Sequence, residues 1–218
     1  MHILLSMDTP EPPSATRRSR QKRVGAALRE DTRNRLLEAA AREFSAHGYA
    51  GSTVTRLAAA AGVSVQTLYL AWGSKRALLR GYMENALAGD LDSPEDASRR
   101  FTGLSPQDRL TELAALVTEI AGRAATGWKL YRDAAAVDPE IAADWQELQM
   151  LRHRLIARIL GDIPDSVFAA GLSTTNAVDT AWAIASPESY ELLVQRLGYT
   201  LPELQAWMEQ TLCAAILR

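Results

Sequence analysis

Apolar residues recur along the chain at spacings of three and four, as in helices with one dry face, and no stretch alternates apolar and polar residues like a half-buried strand. With its start and stop signals, the pattern predicts a first helix from Asp31 or Thr32 to His47, then helices over 53–61, 64–72 and from Ser74 to about Leu91. After a link at Asp92-Ser93-Pro94, helical spacing returns over 94–101, 106–125, 127–137, 139–160, 165–171, 174–186, 187–197 and 201–217. Pro94, Pro106, Pro139, Pro187 and Pro202 fall in first-turn positions, where a missing N–H costs nothing. The expected fold class is all-α, without internal repeats. Residues 1–28 carry no apolar periodicity; Pro10, Pro12 and Pro13 precede the basic run Arg17-Arg18-Ser19-Arg20-Gln21-Lys22-Arg23, and a flexible basic arm is expected there.

The second and third helices meet at the corner Ala61-Gly62-Val63-Ser64, which predicts a helix-turn-helix over about 52–72. Thr53 is the expected N-cap of the second helix, and Val54, Leu57, Ala58 and Ala61 share its dry face. Gly62 sits where a left-handed residue must end that helix, since a residue without Cβ enters this region at little cost. Ser64 is the N-cap of the third helix, with Val63 and Leu68 spaced as a hydrophobic staple. Leu68 and Trp72 then face inward, which leaves Val65, Gln66, Thr67 and Tyr69 outward: short or hydrogen-bonding side chains suited to base edges and phosphates in a major groove.

Leu57-Ala58, Ala61-Gly62-Val63-Ser64, Thr67-Leu68-Tyr69 and Ser74-Lys75 before Leu78-Leu79 resemble the signature of the tetracycline-repressor-like (TetR) transcriptional regulators. Upstream, Arg33, Leu36, Leu37, Ala40, Phe44 and Gly48-Tyr49 are similar to that family's first helix and its ending, and Tyr49 is expected to fold back on Phe44 at a Schellman stop. A weaker resemblance to the C-terminal part of many bacterial members lies in Asp138-Pro139-Glu140, in 182–190 and in 198–212. The chain departs from the pattern twice. Arg76 stands where members commonly carry an acidic residue, so phosphate attraction is expected to gain what capping loses, and the aromatic neighbour of Trp72 is replaced by Ala71. The resemblance implies a DNA-binding domain over 29–91 and a helical domain over 92–218 that binds an effector and dimerises. Base contacts are then expected from Val65, Gln66 and Thr67 and phosphate contacts from Thr53, Tyr69 and Lys75, with the N-cap Ser64 also among the DNA-binding residues.

Composition narrows the function classes. At 218 residues and 47% hydrophobic, the chain is that of a folded globular protein. Its net charge of −2 divides unevenly: residues 1–91 carry 13 Lys/Arg against 8 Asp/Glu (+5), and residues 92–218 carry 11 against 18 (−7). Such a division suits a module that meets a polyanion, joined to one that does not. Cys213 is alone, which excludes an intramolecular disulfide and a cysteine-based metal site and reads as a packing residue. The apolar run Ile3-Leu4-Leu5 is too short for a signal peptide, and no run reaches membrane-spanning length, so a cytoplasmic protein is expected.

Nothing in the chain resembles catalytic machinery: there is no G-x-S-x-G, H-E-x-x-H or phosphate-binding glycine loop, and His2, His47 and His153 are scattered. Glu140 and Asp144, at helical spacing, read as a solvated face rather than an acid–base couple. No catalytic residue, cofactor or metal is expected. By the resemblance, Trp128, Tyr131, Trp145 and Trp182 are candidates to line a small-molecule pocket, against core packing as the plainer reading. The last helix is apolar around most of its circumference, which suits either a buried helix or one shared with a partner. The family analogy favours sharing, through Leu201, Leu204, Met208, Leu212 and Ala215, with the 187–197 helix as companion. The expected function is a dimeric repressor on a palindromic operator of double-stranded DNA, released by a small-molecule effector. An activator or ligand-independent regulator is the alternative, and a DNA-processing enzyme with a helix-turn-helix is the competitor from another class.

Overall fold

The computed structural model describes the backbone of residues 15–88 and 99–218, with side chains from Arg23 to Leu87 and from Arg99 onward. Among these residues the regular structure is helical, and one isolated antiparallel bridge joins Phe168 to Leu217. Helix α1, Ala15–Gly51, starts well before the expected Asp31 and is broken at Gly48 (φ 65°, ψ 177°), close to the expected end. The arm expected over 1–28 is therefore helical from Ala15; after Pro13 its Ala, Arg, Gln and Lys residues are good helix formers with no proline among them. Residues 1–14 lie outside the described residues, as does most of the helix expected over 94–101.

Helices α2 (Val54–Ala60), α3 (Val65–Trp72) and α4 (Lys75–Ala88) complete the head. The helices expected over 106–125 and 127–137 are one helix, α5 (Pro106–Ala135), capped by Ser105. It is followed by α6 (Pro139–Leu160), capped by Asp138. Only a 3-10 turn, Asp165–Val167, forms where a helix over 165–171 was expected, because this strand of chain pairs instead with the C-terminus: Ala169 N donates to Ile216 O (2.9 Å) and Arg218 N to Val167 O (3.2 Å). Helix α7 is Thr174–Ile184, and α8, Pro187–Tyr190, runs on as the π-helical segment Glu191–Arg196. The last helix, α9 (Leu201–Ile216), opens with a full capping box between Thr200 and Glu203.

Two apolar cores follow. The first joins Leu36, Phe44, Leu57, Leu68, Leu79 and Met83 of the head to Trp128, Tyr131 and Ile141 of α5 and α6, so the head packs continuously onto the second half of the chain. The second is built by α5, α6, α7 and α9, with Leu113, Ile156, Phe168 and Val178 at its centre. Leu204, Met208 and Leu212 belong to that second core and are fully buried within the chain, which corrects their expected place at a dimer seam. Their apolar stripe is consumed by α5 and α7, and a partner cannot reach it. Leu201 and Ala215 remain exposed, and the outward face of α9 carries Ala206, Gln210 and Ala214 instead.

Candidate DNA-reading surface and internal cavity

The corner between α2 and α3 is set by short-range hydrogen bonds. Thr53 Oγ1 accepts from Arg56 N (3.2 Å) and starts α2. Gly62, at φ 65°, closes a Schellman stop: Val63 N donates to Ala58 O and Gly62 N to Ala59 O, both at 3.0 Å. Ser64 Oγ accepts from Thr67 N (3.0 Å) and starts α3 at once. From α1, Arg35 Nη2 donates to Ala61 O (2.6 Å), while Arg33 Nη1 donates to Ala71 O (2.6 Å) and lies 3.9 Å from the Trp72 ring. Guanidinium groups thus sit on the carbonyl ends of both helices, where the helix dipole favours positive charge.

Leu68 is fully buried and Trp72 half-buried, so α3 turns Val65, Gln66 and Tyr69 to solvent, as expected. Leu70, absent from the sequence-based set, is 81% exposed on the same face, the most exposed large apolar side chain among the described residues. Nothing marked it in advance, because apolar side chains in this pattern default to the core. Thr67 is partly covered, its hydroxyl 2.8 Å from Ser64 Oγ.

Lys75 and Arg76 are turned elsewhere than expected. Lys75 Nζ donates to Tyr49 O (3.0 Å) and lies 3.9 Å from the Tyr49 ring; burial lowers its pKa, with Asp138 opposing. This ammonium fastens the start of α4 to the end of α1. Arg76 spends its charge on α6: Nε and Nη2 donate to the two oxygens of Asp144 (2.7 and 2.8 Å), and Nη1 donates to Glu140 (2.9 Å). One turn on, Arg80 Nη2 donates to Glu147 (2.7 Å). Residues 76 and 80 on α4 and 140, 144 and 147 on α6 form a ladder of ion pairs at helical spacing. The expected gain of phosphate attraction from Arg76 is thereby corrected, and so is the solvated reading of Asp144, whereas Glu140 is exposed as expected. The Arg76 bond, then its charge, hold the Asp144 carboxyl below its usual pKa, against the burial that would raise it.

Between α4, α5, α6 and α8 lies a cavity of about 550 Å³, within the range of small-molecule sites. Trp128, Tyr131 and Trp145 line it, the two indoles edge to face with centroids 5.4 Å apart. Trp182 is outside the wall: its carbonyl accepts from Arg152 Nη1 (2.8 Å) and its ring lies 4.9 Å from that guanidinium, which does line the cavity. Helix α4 contributes Arg80, Met83, Glu84 and Leu87 to the wall. Among the described residues no His, Cys, Asp or Glu side chains gather as a metal-binding group, and no helix is long and apolar enough to cross a membrane.

Residues 36–82 match the family described as bacterial regulatory proteins, tetR family. The whole fold is similar to NalD of Pseudomonas aeruginosa, the secondary repressor of the MexAB-OprM multidrug efflux pump (TM-score 0.69, 17% identity, 87% of this chain and 98% of that one). It is similar to SmeT, solved in complex with triclosan (0.70, 18%, 86% and 92%). FadR of Bacillus subtilis, solved with stearoyl-CoA, also shares it (0.61, 18%, 82% and 94%). No curated protein matches the sequence.

Proposed function

We propose that the chain is a TetR-family transcriptional regulator, a homodimeric cytoplasmic repressor released from a palindromic operator by a small molecule in the cavity. The observation that carries this reading is the double membership of α4, which starts directly after the reading helix and ends in the cavity wall. A ligand that displaces Met83 or Leu87 tilts α4, and with it the head, and a dimer whose heads change separation no longer matches half-sites one helical turn apart. NalD is a repressor, and SmeT and FadR were solved with small molecules bound; a shared fold makes the same arrangement available to this chain.

In this reading Val65, Gln66, Tyr69 and Leu70 approach base edges, the apolar Leu70 suiting a thymine methyl, while Thr53, Ser64 and Thr67 sit at helix starts near phosphates. Dimerisation uses the outward faces of α7 and α9. Selection of sites from a random duplex pool tests the whole. A palindrome should emerge, and Gln66→Ala should cost about 1–3 kcal/mol on it while leaving random duplex unaffected. Equal losses on both DNAs, or selection of no palindrome, would refute the reading.

A further inference from the structure

We propose that the cavity takes an amphipathic anion, an apolar body with one carboxylate- or sulfonate-like group, held at its α7–α8 end by Arg152. This rests on the cavity being the effector site. Arg152 projects from α6 into a wall that is otherwise mostly apolar. Its Nη1 donates to the carbonyls of Trp182 (2.8 Å) and Ala185 (2.7 Å), its Nε is buried with no partner, and no carboxylate hydrogen-bonds to it among the described residues. A guanidinium whose solvation has been replaced by two neutral carbonyls is under-compensated, and an incoming anion restores what burial removed. Burial brings its pKa down to about 10, with Glu188 opposing from a distance, so the group stays charged at neutral pH.

Several other charges in the wall are already matched. Arg80 pairs with Glu147 and Glu84, Arg132 with Glu191, and Lys129 with Asp133. Among the described residues Glu188 is the one wall carboxylate of four without an ion pair, and Arg154 and Arg158, exposed on the Arg152 helix, have none either. The Arg152 end is therefore net positive, and the indoles of Trp128 and Trp145 have no unpaired carboxylate beside them to draw in a cation. Tyr131 also lines the cavity, 1% exposed, and its buried hydroxyl has no hydrogen-bond partner among the described residues. A ligand that carries a hydrogen-bonding atom besides its anion satisfies both.

The test uses two probes of one skeleton, 1-anilinonaphthalene-8-sulfonate and its neutral parent N-phenyl-1-naphthylamine, both fluorescent in apolar surroundings. The sulfonate should bind the full-length protein more tightly than the neutral probe. Arg152→Met should cut sulfonate affinity about tenfold or more while moving the neutral probe less than about threefold, as expected for loss of a charge-assisted bond. Should that variant fail to fold, Arg152→Lys retains the charge and should keep the sulfonate ahead. Equal binding of the two probes to the native protein, or sulfonate binding unchanged in Arg152→Met, overturns the proposal. Operator DNA separates the two readings: a sulfonate bound through Arg152 that leaves DNA affinity unchanged removes the effector role and keeps the ligand class. A neutral probe that releases DNA while the sulfonate does not bind keeps the effector role and removes the ligand class.

Discussion

Asp144→Asn tests the ion-pair ladder that ties the reading head to α6. Asp144 is 5% exposed, and both its oxygens accept from Arg76, at 2.7 and 2.8 Å. An asparagine retains one acceptor and turns its NH₂ toward a guanidinium N–H, so at least one charge-assisted bond is lost and a donor faces a donor. One such bond corresponds to about 1.5–3 kcal/mol. Breaking a fully buried pair costs about 3–5 kcal/mol, but the Arg76 side chain is 36% exposed and water re-solvates it, which favours the lower range. Thermal unfolding at pH 7.5 should fall by about 3–12 °C, taking roughly 2–4 °C per kcal/mol for a chain of this size.

The pH dependence carries a definite sign. The folded pKa of Asp144 is depressed below its ordinary 3.8, mainly by the Arg76 bond, so its contribution is complete above that value and is lost as pH falls through the folded pKa. The gap between native protein and variant, measured by urea melts, should therefore be constant from pH 7.5 to about 5 and close in stronger acid. Melts that coincide at pH 7.5 would refute the pairing. Arg76→Met provides a second check: a group committed to α6 leaves the salt dependence of DNA binding unchanged, whereas a phosphate contact would lower the slope by about one.

Lys75→Met should destabilise the head, measured by urea unfolding, without changing that salt slope; a slope lower by about one would restore a phosphate role to Lys75. Deleting residues 1–23 should lower the slope by two or more, and an unchanged slope would remove the basic run from the DNA contact. Ala206→Arg, on the outward face of α9, should give folded monomers in sedimentation, whereas Leu204→Asp should unfold the chain; a dimeric Ala206→Arg protein would move the interface off α9.

The features legible in the sequence are those whose causes are local. Thr53, Gly62, Ser64 and Leu68 act within a few residues of one another, and the Tyr49 ring meets Phe44 with centroids 5.9 Å apart across the break at Gly48. What escaped reading depends on distant partners. Arg76 is 68 residues from Asp144, and nothing in the local pattern says whether a cation faces DNA or another helix. The break expected between 125 and 127 does not form, and Gly127 lies inside α5: a Cβ there would stand 2.6 Å from Met83 Sδ, so the glycine serves the close approach of α4. In α9 the pattern gave the width of the apolar stripe but not its owner, and α5 and α7 claim it.

The charge division between the two halves has a cause besides DNA. Of the 13 Lys/Arg in residues 1–91, Arg33, Arg35 and Arg42 donate to helix-end carbonyls, Arg56 pairs with Glu43, Lys75 holds Tyr49, and Arg76 and Arg80 pair with α6. Part of the excess positive charge of the head is thus the counterpart of part of the excess negative charge of the second half, and it serves to seat one on the other. The six that remain, Arg17, Arg18, Arg20, Lys22, Arg23 and Arg29, all precede the helix-turn-helix. Counterion release requires cations that can reach phosphate. In the proposed function the helix bearing Val65, Gln66, Tyr69 and Leu70 discriminates sequence without charge, so the long-range attraction is expected from the segment ahead of it.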